Sequence, residues 1–155
     1  MDRVFWIIED SLCGRPGPAL APWNLELIRE NSIKAIISLD QDCVDSSKIK
    51  SLGFEHLSLT VPDSIPPHED DMSLWLRILP STLDYIEKKT ANGDKVMVHC
   101  WAGKDRTGVL ACSYLVRKCG YSPENAIKKL RKNRPQALTS VGYEEFFRAL
   151  MSKMS

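Results

Sequence analysis

Ten residues, His99-Cys100-Trp101-Ala102-Gly103-Lys104-Asp105-Arg106-Thr107-Gly108, lie between the apolar run Val96-Met97-Val98 and a segment with helical patterning. A thiol and a guanidinium on one short loop are a nucleophile and a grip for an oxyanion. If that loop turns tightly into a helix N-terminus, the backbone N–H groups of Trp101, Ala102, Gly103, Lys104, Asp105 and Arg106 face inward as a nest for a dianion, and the helix dipole adds to it. Gly103 and Gly108 allow the close turns and close packing this requires. Cys100 at the base of the nest, near Arg106, meets surroundings that favour thiolate over thiol. The planar fork of Arg106 can hold two phosphate oxygens and stays charged throughout. Three equatorial oxygens of a phosphoryl group in transit would meet such a cradle without its reorganising. These residue types suit attack by sulfur on phosphorus.

Phosphoryl transfer to sulfur leaves an alkoxide or phenoxide that needs a proton, so a carboxylic acid must approach the cradle from another loop. Asp63 sits in the turn-rich stretch Thr60-Val61-Pro62-Asp63, after a strand-like segment. Glu69, Asp70 and Asp71 lie nearby but precede a helical pattern, where they complement the helix's positive end.

The elements that must position these groups follow from periodicity. Residues 4–8 are β-prone, and Gly14-Arg15-Pro16-Gly17-Pro18 breaks whatever precedes it. A short helix is expected over 23–30. Residues 33–39 suit a strand buried on both faces, 46–52 a short helix ended by Gly53, and 54–59 an alternating strand. Residues 70–89 keep a helical period, with a kink expected at Pro80. Asn92-Gly93-Asp94 turns the chain into a buried strand over 95–99. Helices are expected over 107–118, stopped by Gly120, over 123–132 with Ser122 as N-cap, and from about Ser140 onward. Strands alternating with helices predict an α/β fold, a central and mostly parallel β-sheet with helices on both faces, whose carboxyl edge carries the ligand site.

The run His-Cys-x5-Arg-Thr-Gly between strand and helix resembles the signature of the protein tyrosine phosphatase superfamily. Further matches run in the order found in compact atypical dual-specificity phosphatases: Trp6-Ile7-Ile8 through Gly14-Arg15-Pro16, the strand 33–39, Val61-Pro62-Asp63 and Arg134-Pro135. The resemblance implies a tyrosine phosphatase-like fold. It further implies a phosphocysteine intermediate on Cys100, Asp63 as acid and then base, Thr107 helping the thiolate leave, and His99 ordering the loop. It implies no metal or organic cofactor. Two departures stand out: the segment after Arg134-Pro135 has no clear glutamine to position water, Gln136 included, and Lys104-Asp105 lies within the loop. Cys-x-x-Gly-Lys-Asp-Arg resembles a branch some of whose members also act on phosphoinositides. Lys104 could meet a second phosphate there, or the pair could be a solvated rim.

Composition bounds the rest. The 155 residues, 43% hydrophobic and 26% charged, suit one domain over 1–155. A net charge of +1 argues against broad capture of nucleic acid. The apolar stretch at 4–8 is too short to span a membrane and lacks a signal pattern, so a cytoplasmic protein is expected. The five cysteines, Cys13, Cys43, Cys100, Cys112 and Cys119, show no metal-ligand spacing. Cys112 falls on the apolar face of its helix, and Cys13, Cys43 and Cys119 read as incidental thiols, one of which could resolve an oxidised Cys100. The leading expectation is a phosphatase acting on phosphotyrosine in proteins, with phosphoserine and phosphothreonine as further substrates. A phosphoinositide or other non-protein phosphate is the alternative substrate, and a phosphate-binding pseudophosphatase the alternative class.

Overall fold

Which helices pack on which face is decided by alternation along the strands. The computed structural model describes residues 1–154. Strands β1 (Phe5–Ile8), β2 (Leu12–Arg15), β3 (Ile33–Ser38), β4 (Glu55–Ser58) and β5 (Lys95–His99) form one sheet in the order β1-β2-β5-β3-β4. All neighbours are parallel except β1 and β2, which form an antiparallel hairpin at one edge. Leu12, Ala35, Ile37, Val96 and Val98 face one core, shared with α3 (Glu69–Ala91), α4 (Arg106–Cys119), α5 (Pro123–Asn133) and α6 (Tyr143–Lys153). Cys13, Ile36 and Met97, one residue out of step, face a second core with α1 (Leu25–Glu30) and α2 (Ser46–Ser51). Helices therefore cover both faces, as the alternating pattern predicts.

One strand escaped the sequence reading. Gly14 and Arg15 continue β2 instead of breaking the chain. Gly14 pairs with Phe5 across the hairpin, and a Cβ there would lie 2.4 Å from the Phe5 ring, so the missing side chain makes room for the aromatic one. Arg15 is buried because its guanidinium donates to the carbonyls of Pro16 (2.9 Å), Ala21 (2.8 Å) and Pro22 (3.1 Å). Its charge thereby ties down the loop after β2. Cys13, one of the incidental thiols, is fully buried in the smaller core.

Caps set the helix limits. Asn24 and Asp45 cap α1 and α2 through their side chains, and Ser122 Oγ accepts from Asn125 N at 3.1 Å ahead of Pro123. At α3, Asp71 Oδ2 accepts from His68 N at 2.8 Å, so the acidic run serves the helix N-terminus as its position suggested. Helix α3 continues through Pro80. The last helix begins at Tyr143, three residues beyond the expected start at Ser140, because residues 134–142 are drawn onto the loop after β5. Among the described residues no helix is long and apolar enough to cross a membrane.

Candidate active site

Register aligns the sheet's carboxyl ends. Arg15 and Ser38 both pair with His99, and Ser58 with Ser38, so the loops after β2, β5, β3 and β4 emerge side by side. The loop after β5 is residues 100–105. Five of its consecutive carbonyls are bonded outward. Cys100 O accepts from His99 Nδ1 (3.0 Å) and Trp101 O from Gly17 N (3.0 Å). Ala102 O accepts from Arg134 Nη2 (3.0 Å), Gly103 O from Arg134 Nε (3.2 Å) and Lys104 O from Leu138 N (3.3 Å). In a trans peptide the N–H points opposite to the C=O. Fixing five carbonyls outward therefore turns the N–H groups of residues 101–105 the other way, toward the cleft. Gly103 makes the turn possible: its φ is +66°, and a Cβ would lie 2.7 Å from the Arg15 carbonyl carbon.

A cleft of about 210 Å³ opens above this loop, lined by Asp63, Ile65, Cys100, Trp101, Ala102, Lys104, Asp105, Arg106 and Ser140. The sequence-predicted thiol, guanidinium and carboxylic acid thus share one wall. Cys100 is buried, only 2% exposed, and Arg106 opens α4 at 3%. Arg106 Nη1 is held by Val61 O (2.8 Å), Leu39 O (3.4 Å) and Asp40 Oδ2 (3.3 Å). Its Nη2 lies 3.5 Å from Asp63 Oδ2. The Nη1 corner is thus fastened to the loops after β3 and β4, and a dianion gripped by the Nε–Nη2 edge would share Nη2 with Asp63. Asp63 itself is half-exposed on its loop.

Gly103 lies outside the cleft lining, packed against Arg15 and Pro16, and would contribute only through its backbone. Thr107 is buried, and its Oγ1 has no hydrogen-bond partner among the described residues. Lys104 and Asp105 are not a solvated pair. Lys104 Nζ donates to Ser140 Oγ at 2.7 Å, and Asp105, 8% exposed, accepts from Ser140 N at 3.3 Å. Gln136 stands outside the cleft, accepting from Arg134 Nη1 at 2.7 Å. Cys112 is buried in the core as its helical position suggested, and burial pushes the thiols of Cys13 and Cys112 up to about 12. Cys43 and Cys119 are exposed. Among the described residues no group of three or more His, Cys, Asp or Glu side chains is placed to hold a metal ion.

Beneath the loop runs a hydrogen-bond chain that sequence reading missed. His99 Nε2 meets Ser38 Oγ (2.6 Å), Ser38 Oγ meets His56 Nε2 (2.8 Å), and His56 Nδ1 meets Ser46 Oγ (2.8 Å). Burial drives the His99 imidazole down to about 4, overriding the upward pull of the Cys100 carbonyl and Asp40, so the ring is neutral. Facing a carbonyl, Nδ1 must carry the proton, and Nε2 then accepts from the Ser38 hydroxyl. Ser38 in turn accepts from His56 Nε2–H, and His56 Nδ1 accepts from Ser46. Burial, then Lys50, also lowers the His56 pKa. Every donor points the same way, toward Cys100. Ser140, Ile65 and Asp40 were missed as well, being ordinary residues on loops whose proximity only the sheet register creates.

A model of the dual specificity phosphatase catalytic domain matches residues 21–153. The tyrosine-protein phosphatase cdc-14 of Caenorhabditis elegans is 28% identical over 110 residues, 71% of this chain and 14% of that protein. The human phosphatidylglycerophosphatase and protein-tyrosine phosphatase 1 is 26% identical over 117 residues, 70% of this chain and 54% of that protein. The chain thus spans a seventh of the first relative and about half of the second. The crystal structure of Tk-PTP in its active form superposes with a TM-score of 0.79 at 21% identity, covering 99% of this chain and 96% of the other. That likeness establishes a tyrosine phosphatase fold. With the family model covering most of its length, the chain belongs to the dual specificity phosphatase catalytic-domain family.

Proposed function

We propose that this protein hydrolyses phosphate monoesters, phosphotyrosine in proteins first among them, through a phosphocysteine on Cys100. The observation that carries this reading is the five outward-bonded carbonyls, which leave a row of N–H groups above a buried thiol and beside the Arg106 fork. In the first step the Cys100 Sγ attacks phosphorus. An S–P bond forms, the ester P–O bond breaks, and Asp63 gives its proton to the departing oxygen. The N–H row and Arg106 hold the three equatorial oxygens. In the second step water attacks the phosphocysteine and gives a proton to Asp63. The S–P bond then breaks, inorganic phosphate leaves, and the Thr107 hydroxyl, which has no hydrogen-bond partner among the described residues, is free to steady the returning thiolate. No metal or organic cofactor is required by these steps, and the reading extends to work on phosphoproteins in the cytoplasm.

A second reading keeps the chemistry and changes the substrate to a lipid or inositol phosphate. Lys104 on the cleft wall favours it, as does the double name of the human relative. Against it, the Lys104 ammonium is already bonded to Ser140 and lies 3.9 Å from Asp105. The test is hydrolysis of an aryl phosphate in the presence of chelator, across pH, by the parent, Cys100→Ser and Asp63→Asn. Metal-independent turnover should vanish in Cys100→Ser, and Asp63→Asn should lose the basic limb of the profile. Turnover retained in Cys100→Ser would remove the mechanism. Tight phosphopeptide binding without turnover by the parent would point to a pseudophosphatase.

A further inference from the structure

Five large apolar side chains among the described residues are exposed: Leu20, Leu27, Ile65, Trp101 and Val141. Ile65, 57% exposed, and Trp101, 39%, line the Cys100 cleft. Val141, the most exposed at 72%, follows Ser140, which lines the same cleft. Its other neighbour, Gly142, packs against Pro66, so the loop bearing Val141 rests on the loop bearing Ile65. Two separate loops thus each bring one large apolar side chain to the cleft lining, and a third, adjoining loop carries Val141 next to it. The buried part of the lining is the opposite in character, with Cys100, Arg106 and Asp105, and the partly exposed Lys104 and Asp63 beside them.

A charged floor under an apolar collar fits an ester with a dianionic head and a flat apolar body. About 210 Å³ is below the roughly 300–1,000 Å³ of clefts that enclose drug-sized ligands, and suits a phosphate with one ring. A phosphoserine or phosphothreonine carries its phosphate close to the backbone, so with the head on the floor its polar peptide groups would meet the collar. An inositol ring would bring unpaired hydroxyls against it, a mismatch that polar groups bear poorly. The second charge that a polyphosphorylated ring needs is partly offset, because the Lys104 ammonium lies 3.9 Å from the Asp105 carboxylate and donates to Ser140.

Resting on the phosphatase reading above, we infer that Ile65, Trp101 and Val141 form an apolar collar that selects phosphate esters carried on an aromatic ring. The protein is then a phosphotyrosine enzyme within a family named for dual specificity, and the collar is what narrows it.

The experiment compares kcat/KM for a phosphotyrosine peptide and a phosphoserine peptide of otherwise identical sequence, for the parent, Trp101→Ala and the double variant Ile65→Ser with Val141→Ser. The parent should favour phosphotyrosine by at least about tenfold. In each variant the ratio should fall about tenfold, which is about 1.4 kcal/mol. Because Trp101 belongs to the cradle and Ile65 lines the same cleft, the readout is the ratio between the two peptides, which a general loss of chemistry leaves unmoved. A ratio near one in the parent, or unchanged in the double variant, overturns the collar while leaving the phosphatase reading intact. No turnover of any aryl phosphate by the parent overturns both. Co-sedimentation of the parent with phosphatidylcholine–phosphatidylserine vesicles, lost in the double variant while the peptide ratio stays fixed, would assign the three side chains to a membrane surface and also overturn the inference.

Discussion

Acid should destabilise this fold through His99 before it touches the carboxylates. The imidazole is fully buried and its pKa falls from 6.5 to about 4, chiefly because burial penalises the cation, with the Cys100 carbonyl and Asp40 pulling upward and His56 and Arg15 downward. A depressed folded pKa means that the unfolded chain binds the proton more readily. The stabilisation is therefore complete above about pH 6.5 and is lost as pH falls toward 4. About 2.5 pH units at about 1.4 kcal/mol each is about 3.4 kcal/mol in all, of which about 2.4 kcal/mol falls between pH 7 and 4.5. His56, lowered by burial and Lys50, adds in the same direction below its ordinary value. Glu55, held below its ordinary value first by its bond from Lys89, contributes only under about pH 4.5, so the window is clean on that side. The perturbation is His99→Asn, whose amide can still donate to the Cys100 carbonyl but does not titrate. At pH 7 the variant should be less stable by about 1–3 kcal/mol, the cost of leaving the Ser38 hydroxyl and its neighbours imperfectly paired. Urea unfolding followed by circular dichroism at pH 7, 6, 5.5, 5 and 4.5 gives both curves. The gap between parent and variant should shrink by about 2.4 kcal/mol by pH 4.5. Trp23, edge-on to His99 at 5.0 Å, gives a second signal through its fluorescence. Parallel curves, with the gap constant to within about 0.5 kcal/mol, would refute the assignment of His99 as a buried neutral histidine.

Two further outcomes test the cradle and the thiols. Gly103→Ala should cost at least about 2 kcal/mol, since a left-handed residue with a Cβ costs about 1–2 kcal/mol before its clash with the Arg15 backbone is counted. Urea midpoints would show it, and protection of Cys100 from alkylation by vanadate should weaken in parallel; a midpoint shift worth under about 0.5 kcal/mol would contradict the geometry. Iodoacetamide followed by peptide mass spectrometry on native protein should label the exposed Cys43 and Cys119 but leave the buried Cys13 and Cys112, whose thiols stand near 12, unmodified until urea is added. Labelling of Cys13 at the rate of Cys43 would show the smaller core to be open.

How much could be read ahead of the structure depended on whether the signal was local in the chain. Cys100, Arg106 and the strand and helix around them are contiguous, and Ser122-Pro123 announces α5 by capping chemistry that needs no partner. β2 was lost because Gly14 and Arg15 look like breakers until Phe5 is known to lie over the glycine and three carbonyls to surround the guanidinium. Lys104-Asp105 was ambiguous because its resolution depends on Ser140, brought alongside by a loop joining α5 to α6. His56 and Ser38 carry no motif at all; they meet only because β3 pairs with β4 and β5 in the observed register.

That same distinction bears on how the site is prepared for its anion. The signature loop supplies the proposed nucleophile and the N–H row, but nothing within it fixes which way the peptides face. Their orientation comes from Gly17 after β2, from His99 backed by β3 and β4, from Arg134 at the end of α5, and from Leu138 beyond it. Each of these bonds exists without reference to substrate, so the cost of aligning the dipoles is met during folding and not at the moment of reaction. Arg106 follows the same logic, because the carbonyls of Leu39 and Val61 hold one corner of its guanidinium and thereby aim the other edge. A cysteine-loop signature on a scaffold lacking these outer ties would keep its thiol and arginine and still be a poor cradle.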